Sequence, residues 1–197
     1  MNDTSAPNGT SSASDLISHL GSPDDAVRGP AWQQEARSAG AAAVGGLVEA
    51  MHSSDMETAR AAKRALWNLV DYSGRPGAEG ERKAVVVAVR EILNTGKANT
   101  GTLRELLWML STIGEGDVVP SIAAFLERED LREDARCVLQ RFAGPRATEA
   151  LRLALSKASG EFAHALADAL RVRGEVLHEF PSRRLVPVKQ TSVGSAL

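Results

Sequence analysis

Three stretches decide the fold: ELLWMLSTIG (105–114), DARCVLQRFAG (134–144) and HALADALRVRG (164–174). Each runs through apolar residues at helical spacing into a glycine, and Gly114, Gly144 and Gly174 recur evenly along the chain, with looser counterparts near Gly40 and Gly74. A unit of about 30 to 40 residues repeated in this way marks a stacked α-solenoid, because one helical pair cannot bury its apolar face alone and leans on the pairs before and after it. The spacing speaks for architecture, an all-α stack of helical hairpins. It does not speak for purpose.

Leu103, Leu106, Leu107, Leu110 and Ile113 make the clearest apolar stripe, and Phe162, Leu166, Ala169 and Leu170 repeat it near the end. Both fit first helices of their hairpins. Val44, Leu47, Val48 and Met51 fall at i, i+3, i+4 and i+7, as do Val119, Ile122, Ala123 and Leu126, and fit second helices. The pattern predicts helices at about 23–38, 41–51, 56–70, 80–93, 102–113, 118–127, 131–142, 145–157 and 160–173, with some helical material earlier at Asp15 to Leu20.

Start signals agree with that division. Ser22-Pro23-Asp24-Asp25 offers an N-cap, a proline for the first helical position and acidic residues for the first turn. Ser54 with Glu57, and Thr102 with Glu105, match the capping box in which side chain and backbone satisfy each other's free donors, and Asp130 suits a similar cap. Pro30 lacks an N–H and crowds the preceding turn, so it should kink or divide the first long helix before Ala31 to Ser38. Pro145 directly after Gly144 closes one helix and opens the next.

The ends read differently. Residues 1–13 are rich in Ser, Thr, Asn, Gly and Pro with no apolar period, which predicts a disordered tail. The helical domain is expected over 14–173. Residues 174–197 form an irregular carboxy-terminal tail in which Arg183, Arg184 and Lys189 alternate with Leu185, Val186 and Val188. Such a tail is expected to be a mobile terminus without a role of its own, with docking on a partner as a short motif or folding back over the last helix as the alternatives.

Composition narrows the class. The chain has 197 residues, 43% hydrophobic and 24% charged, with a net charge of −2. That balance disfavours a protein devoted to coating nucleic acid, which needs a basic excess on at least one face. Only 4% of residues are aromatic, which suits helices packed at close range. Cys137 is the single cysteine and cannot form an intramolecular disulfide. The amino terminus lacks a basic start and apolar run, and no stretch approaches the roughly 18 apolar residues that cross a bilayer. A cytoplasmic location and no membrane partner are therefore expected.

The segments SPDDAVRGPAWQQEARSAG with AAAVGGLVEAM, and SSDMETARAAKRALWNLV with the valine-rich helix ending in REIL, resemble HEAT repeats of the compact bacterial kind, an armadillo-like family that includes proteins similar to phycobilisome lyase subunits. The likeness spans roughly residues 22–173, and its most specific part is the opening at Ser22 to Arg28. It implies a right-handed α-solenoid of about four and a half hairpins whose second helices line a concave side. It further implies a non-catalytic scaffold that binds another protein. Two alternatives come with the resemblance: a chromophore-lyase-like subunit or chaperone, and a nucleic-acid binder like the HEAT-like DNA glycosylases.

On the helix carrying Val85, Val89 and Ile92 inward, Lys83 and Arg90 should point outward. On the helix carrying Leu151 and Leu155 inward, Glu149 and Arg152 should do the same. These four charges are the candidate protein-binding residues. Trp67 and Trp108 occupy corresponding places on successive first helices, where they stack on a flat ligand or, more simply, pack as large spacers under the next repeat. Trp32 should pack on the short amino-terminal helix. His19, His52, His164 and His178 lie in different elements with no cysteine or carboxylate at ligand spacing, so neither metal nor cofactor is implied. His164 and Asp168, four apart, read as an ordinary polar pair of a helix face. Cys137 reads as a small core residue.

Overall fold

The computed structural model of the chain describes residues 13–180; of the expected tails, 1–13 and 174–197, the stretches 1–12 and 181–197 lie outside the described residues, while Ala13 already belongs to a helix. The regular elements among them are helical: α1 (Ala13–Leu20), α2 (Asp25–Pro30), a π segment (Ala31–Glu35), α3 (Ala36–Ala39), a 3₁₀ turn (Gly40–Ala43), α4 (Val44–Ala50), α5 (Met56–Ser73), α6 (Glu79–Thr95), α7 (Thr100–Ile113), α8 (Val119–Ala123) with a 3₁₀ turn (Ala124–Glu127), α9 (Arg132–Arg141), α10 (Pro145–Lys157) and α11 (Gly160–Val172). They pack in sequential pairs. The run from α2 through α3, then α5, α7, α9 and α11, make one row in which each element touches the next, while α4, α6, α8 and α10 make a second. Helix α1 packs on α2, the π segment and α4 at the amino-terminal end.

The apolar period explains the rows. Leu103, Leu106, Leu107 and Leu110 are fully buried and Ile113 nearly so, because α7 has α5, α6 and α9 packed around it. Full burial of such a side chain contributes about 1.5–3 kcal/mol. Helix α5 presents Ala61, Ala62 and Ala65 to the interior, and those short side chains let its neighbours approach closely. In the second row Val44, Leu47, Val48, Val119, Ile122 and Leu126 are buried as their spacing predicts, with Met51 and Ala123 half-buried. On α6 the innermost positions are Val85, Val89 and Leu93, and Ile92 is only half-buried.

Helix starts fall one to three residues from the expected caps. The N-cap of α2 is Asp24, whose Oδ1 accepts from Ala26 N at 2.8 Å; Ser22 instead accepts from Asp24 N, and Pro23 precedes the helix. Helix α5 is capped by Asp55, which accepts from the Thr58 amide and hydroxyl, rather than by Ser54. Asn99 caps α7 by accepting from Thr102 N. Thr102 is thereby freed to meet His52 Nε2 at 3.0 Å, and Glu105 is freed for a partner on another helix. Asp130 caps nothing: it joins Arg128 to the hydroxyl of Thr100.

The α-helix divides at Pro30, as expected, but the chain stays helical across it. Helical backbone runs from Asp25 to Ala39, and the turn after the proline widens to π, with Ala36 N donating to Ala31 O five residues back. A π turn is one of the ways in which a helix absorbs an interrupted bonding ladder.

The evenly spaced glycines are required for different reasons. Gly144 and Gly174 have φ of +85° and +89°, a region costly for side chains with a Cβ. Gly114 has an ordinary φ of −75°, but a Cβ there would lie 2.6 Å from Leu110 O and 2.8 Å from Val118 Cγ2. Its helix end is simply too crowded.

The carboxy-terminal end is tied down by Arg173. Its guanidinium donates to the carbonyls of Leu139 and Gln140 at 3.1 Å each, to that of Phe142, to Gly144 O at 2.6 Å and to Thr148 Oγ1 at 2.9 Å. These include carbonyls of the last turn of α9, of which that of Leu139 also accepts from Phe142 N, and a cation there suits the helix dipole. Burial pushes the Arg173 pKa down, against a smaller opposing pull from Glu175.

Candidate functional site

The four charges expected to bind a partner are all on the second-helix row, but the fold does not gather them: Lys83 and Arg90 lie on α6 and Glu149 and Arg152 on α10, with α8 between. Lys83 is exposed beside Val87, which is 40% exposed. Both line a cleft of about 220 Å³ that reaches Val86, Ile113, Glu115 and Asp117. Arg90 is less free, since it donates to Asp117 Oδ2 at 3.2 Å. Arg152 is held by Glu175 from beyond α11, next to Leu153, which is 61% exposed. Glu149 is exposed.

The first-helix row carries a more ordered polar arrangement. Trp67 on α5 is half-buried against the core, and its indole N–H donates to Glu105 Oε2 on α7 at 2.8 Å. Lys63, one turn earlier on α5, pairs with the other oxygen of the same carboxylate. The next interval repeats the arrangement: Trp108 Nε1 donates to Asp134 Oδ1 at 3.0 Å, and Arg104 Nε to Asp134 Oδ2 at 2.8 Å. Thus a cation and a tryptophan four residues apart on one helix share one carboxylate on the next. These indoles are spacers with a polar handle. Arg141 adds a cation over the Trp108 ring, 5.7 Å from its centroid.

Sequence reading paired the two tryptophans and missed their acceptors. The signal was present as Lys63-x-x-x-Trp67 and Arg104-x-x-x-Trp108, with a carboxylate three residues before Trp108 and, in register, before Cys137. Glu105 was absorbed instead into a local capping pattern.

Trp32, on the π segment, is half-buried against the core. It also lines an open cleft of about 640 Å³ against α5, with Arg37, Arg60, Lys63, Arg64 and Trp67 around it. On its other side a smaller cavity is lined by Trp32 and Arg64 together with Asp25, Arg28 and Glu57. Arg37 is bound to Asn68 and lies 5.0 Å from the centroid of the Tyr72 ring. Arg60 pairs with Glu57 at 2.9 Å.

The remaining candidates are dispersed. His164 does not engage Asp168; it meets the Phe180 ring edge-on at 5.8 Å, and Asp168 pairs with Arg171. His19 faces Glu35 at 2.9 Å. Cys137 is half-buried, and Arg136 Nη2 donates to its sulfur at 3.1 Å. Among the described residues no group of three His, Cys, Asp or Glu side chains is placed to hold a metal ion, and no helix is long and apolar enough to cross a membrane.

Comparison with known proteins adds little to this geometry. No family model matches the chain, and no curated protein matches it. Among solved structures, a crystal structure of an engineered protein is similar at 20% identity over 82% of this chain and 79% of that one, with a TM-score of 0.45.

Proposed function

We propose that the chain is a non-catalytic scaffold that binds another protein, built as a right-handed α-solenoid of about four and a half HEAT-like hairpins with α4, α6, α8 and α10 on its concave side. The observation that carries the reading is the pairing of charge with exposed apolar surface along that row. Lys83 stands beside Val87 over a cleft floored by Val86 and Ile113, and Arg152 stands beside Leu153. Protein interfaces combine an apolar centre with charged rims that set orientation and association rate.

The test is a double substitution, Lys83→Glu with Arg90→Gln, measured against a partner first isolated by affinity purification and then purified. Glutamine is chosen at position 90 because glutamate would face Asp117. Affinity should fall at least tenfold with helical content and melting preserved. Unchanged affinity for the double variant, with loss on deleting residues 181–197, would move recognition to the carboxy-terminal tail.

A further inference from the structure

Three successive intervals of the first-helix row can be laid over one another. In the second, Lys63 and Trp67 share Glu105; in the third, Arg104 and Trp108 share Asp134. In the first, the corresponding cation and indole are Arg28 and Trp32, and the position that should supply the carboxylate, three residues before Trp67, is Arg64. Arg64 is exposed, and neither it nor the Trp32 indole has a hydrogen bond or ion pair among the described residues. The acceptor that completes the other two intervals is therefore replaced by a second cation. Trp32 also sits on the π segment, a helical irregularity found frequently at functional sites.

We infer that the cleft between Trp32 and Arg64 receives a carboxylate side chain from an acidic segment of a partner protein, which takes the place that Glu105 and Asp134 hold farther along the row. The chemistry is a charge-assisted bond from an indole N–H and a guanidinium to one anion, with the ring of Trp67 and the stem of Lys63 offering apolar cover to a neighbouring side chain. An isolated carboxylate fits better than a phosphodiester chain. Nucleic acid carries a charge at every nucleotide and is held by neutralising many of them, whereas Asp25, Glu57 and Asp71 also line these cavities and would repel a continuous polyanion. This site lies on the opposite row from Lys83 and Arg90 and stands whether or not that surface binds.

The chain's three tryptophans give three indole N–H resonances for an ¹⁵N-labelled full-length protein. The probes are a twelve-residue leucine- and serine-based peptide with one central glutamate, its counterpart with glutamine for glutamate, and an oligothymidylate. The glutamate peptide should move the Trp32 resonance downfield and leave those of Trp67 and Trp108 in place, and Arg64→Gln should weaken the response at least tenfold. Arg64→Glu supplies the carboxylate from within the chain, so it should shift the Trp32 resonance without any peptide and abolish the response to peptide. An equal response to the glutamine peptide, or an Arg64→Glu protein that still binds with its Trp32 resonance unmoved, would overturn the inference. A stronger Trp32 response to oligothymidylate than to peptide would overturn it in favour of a nucleic-acid surface. The Lys83→Glu, Arg90→Gln protein should respond as the wild type does, so the two surfaces fail or stand separately.

Discussion

Asp134 on α9 accepts the indole N–H of Trp108 on α7 at 3.0 Å while its second oxygen accepts from Arg104 at 2.8 Å. One carboxylate thus fixes both the height and the rotation of one first helix against the next. Because its side chain is only 18% exposed, Asp134→Ala leaves a half-buried indole donor without its acceptor. The expected loss is about 1–3 kcal/mol, read from the urea midpoint, with an upfield shift of the Trp108 indole resonance. Asn at the same position keeps an acceptor and should restore part of the loss.

Gly114 and Gly144 should respond differently to the same change. Gly114→Ala forces a Cβ against the Leu110 carbonyl and Val118, an overpacking penalty of about 1–3 kcal/mol. Gly144→Ala meets no atom within 4 Å but must hold a φ of +85° with a ψ of 171°, at a cost of about 1–3 kcal/mol. Asparagine separates the two causes: it should cost about as much as alanine at 144, whose φ of +85° and ψ of 171° disfavour any Cβ alike, and more than alanine at 114, where space is the issue. Thermal melts of the four variants decide it.

Arg173→Met keeps the stem and removes the guanidinium, leaving the carbonyls of Leu139, Gln140, Phe142 and Gly144 without that donor. A loss of about 1–3 kcal/mol is expected. Lysine should rescue only a fraction, since one ammonium cannot reach acceptors spread across the α9–α10 junction as a planar fork does. Amide exchange should quicken at Phe142 to Arg146 before it quickens in α7. A uniform acceleration across all helices would show that the end does not loosen separately.

Acid should weaken the fold over a defined window. The Arg128 guanidinium, with the Thr100 hydroxyl, holds the Asp130 pKa down to about 2 from the ordinary 3.8. Bonds from Thr58 lower that of Asp55, and Arg75 lowers that of Glu81. Carboxyls whose folded pKa lies below the unfolded value stabilise fully above the unfolded value and lose that contribution as pH falls through the folded one. For Asp130 the window runs from about pH 4 down to about 2. The urea midpoint should decline across it, and Asp130→Asn should flatten the decline. A midpoint indifferent to pH there would contradict the assigned pairing.

The row architecture was legible in the sequence because burial is periodic: Leu103 to Ile113 and Val119 to Leu126 are buried where spacing placed them. Helix starts were legible only to within a few residues. Ser22 and Asp24, or Ser54 and Asp55, compete for one cap, and the choice depends on backbone angles that no side-chain pattern records. Glu105 shows the deeper difficulty. Its spacing from Thr102 satisfies a local rule, yet its partners are Lys63 and Trp67 across a helical interval, and a local pattern carries no information about which of two satisfiable bonds forms. Arg64 became informative only when the intervals could be superposed.

The π turn after Pro30 sets the gauge of the first unit. Ala31 and Ala36 are both fully buried, although five residues on an α-helix subtend about 500°, which leaves two side chains roughly 140° apart. The wider turn closes most of that angle, so one surplus residue is absorbed without any loop. Deleting Gln33 together with Pro30→Ala would return this stretch to plain α geometry. It would leave the rotation of α2 relative to α3 nearly unchanged, because four α-helical residues subtend about 400°, and Arg28 would stay on the flank of α5. The first unit is thus longer in residues than in rise, by the one residue that the π turn takes up.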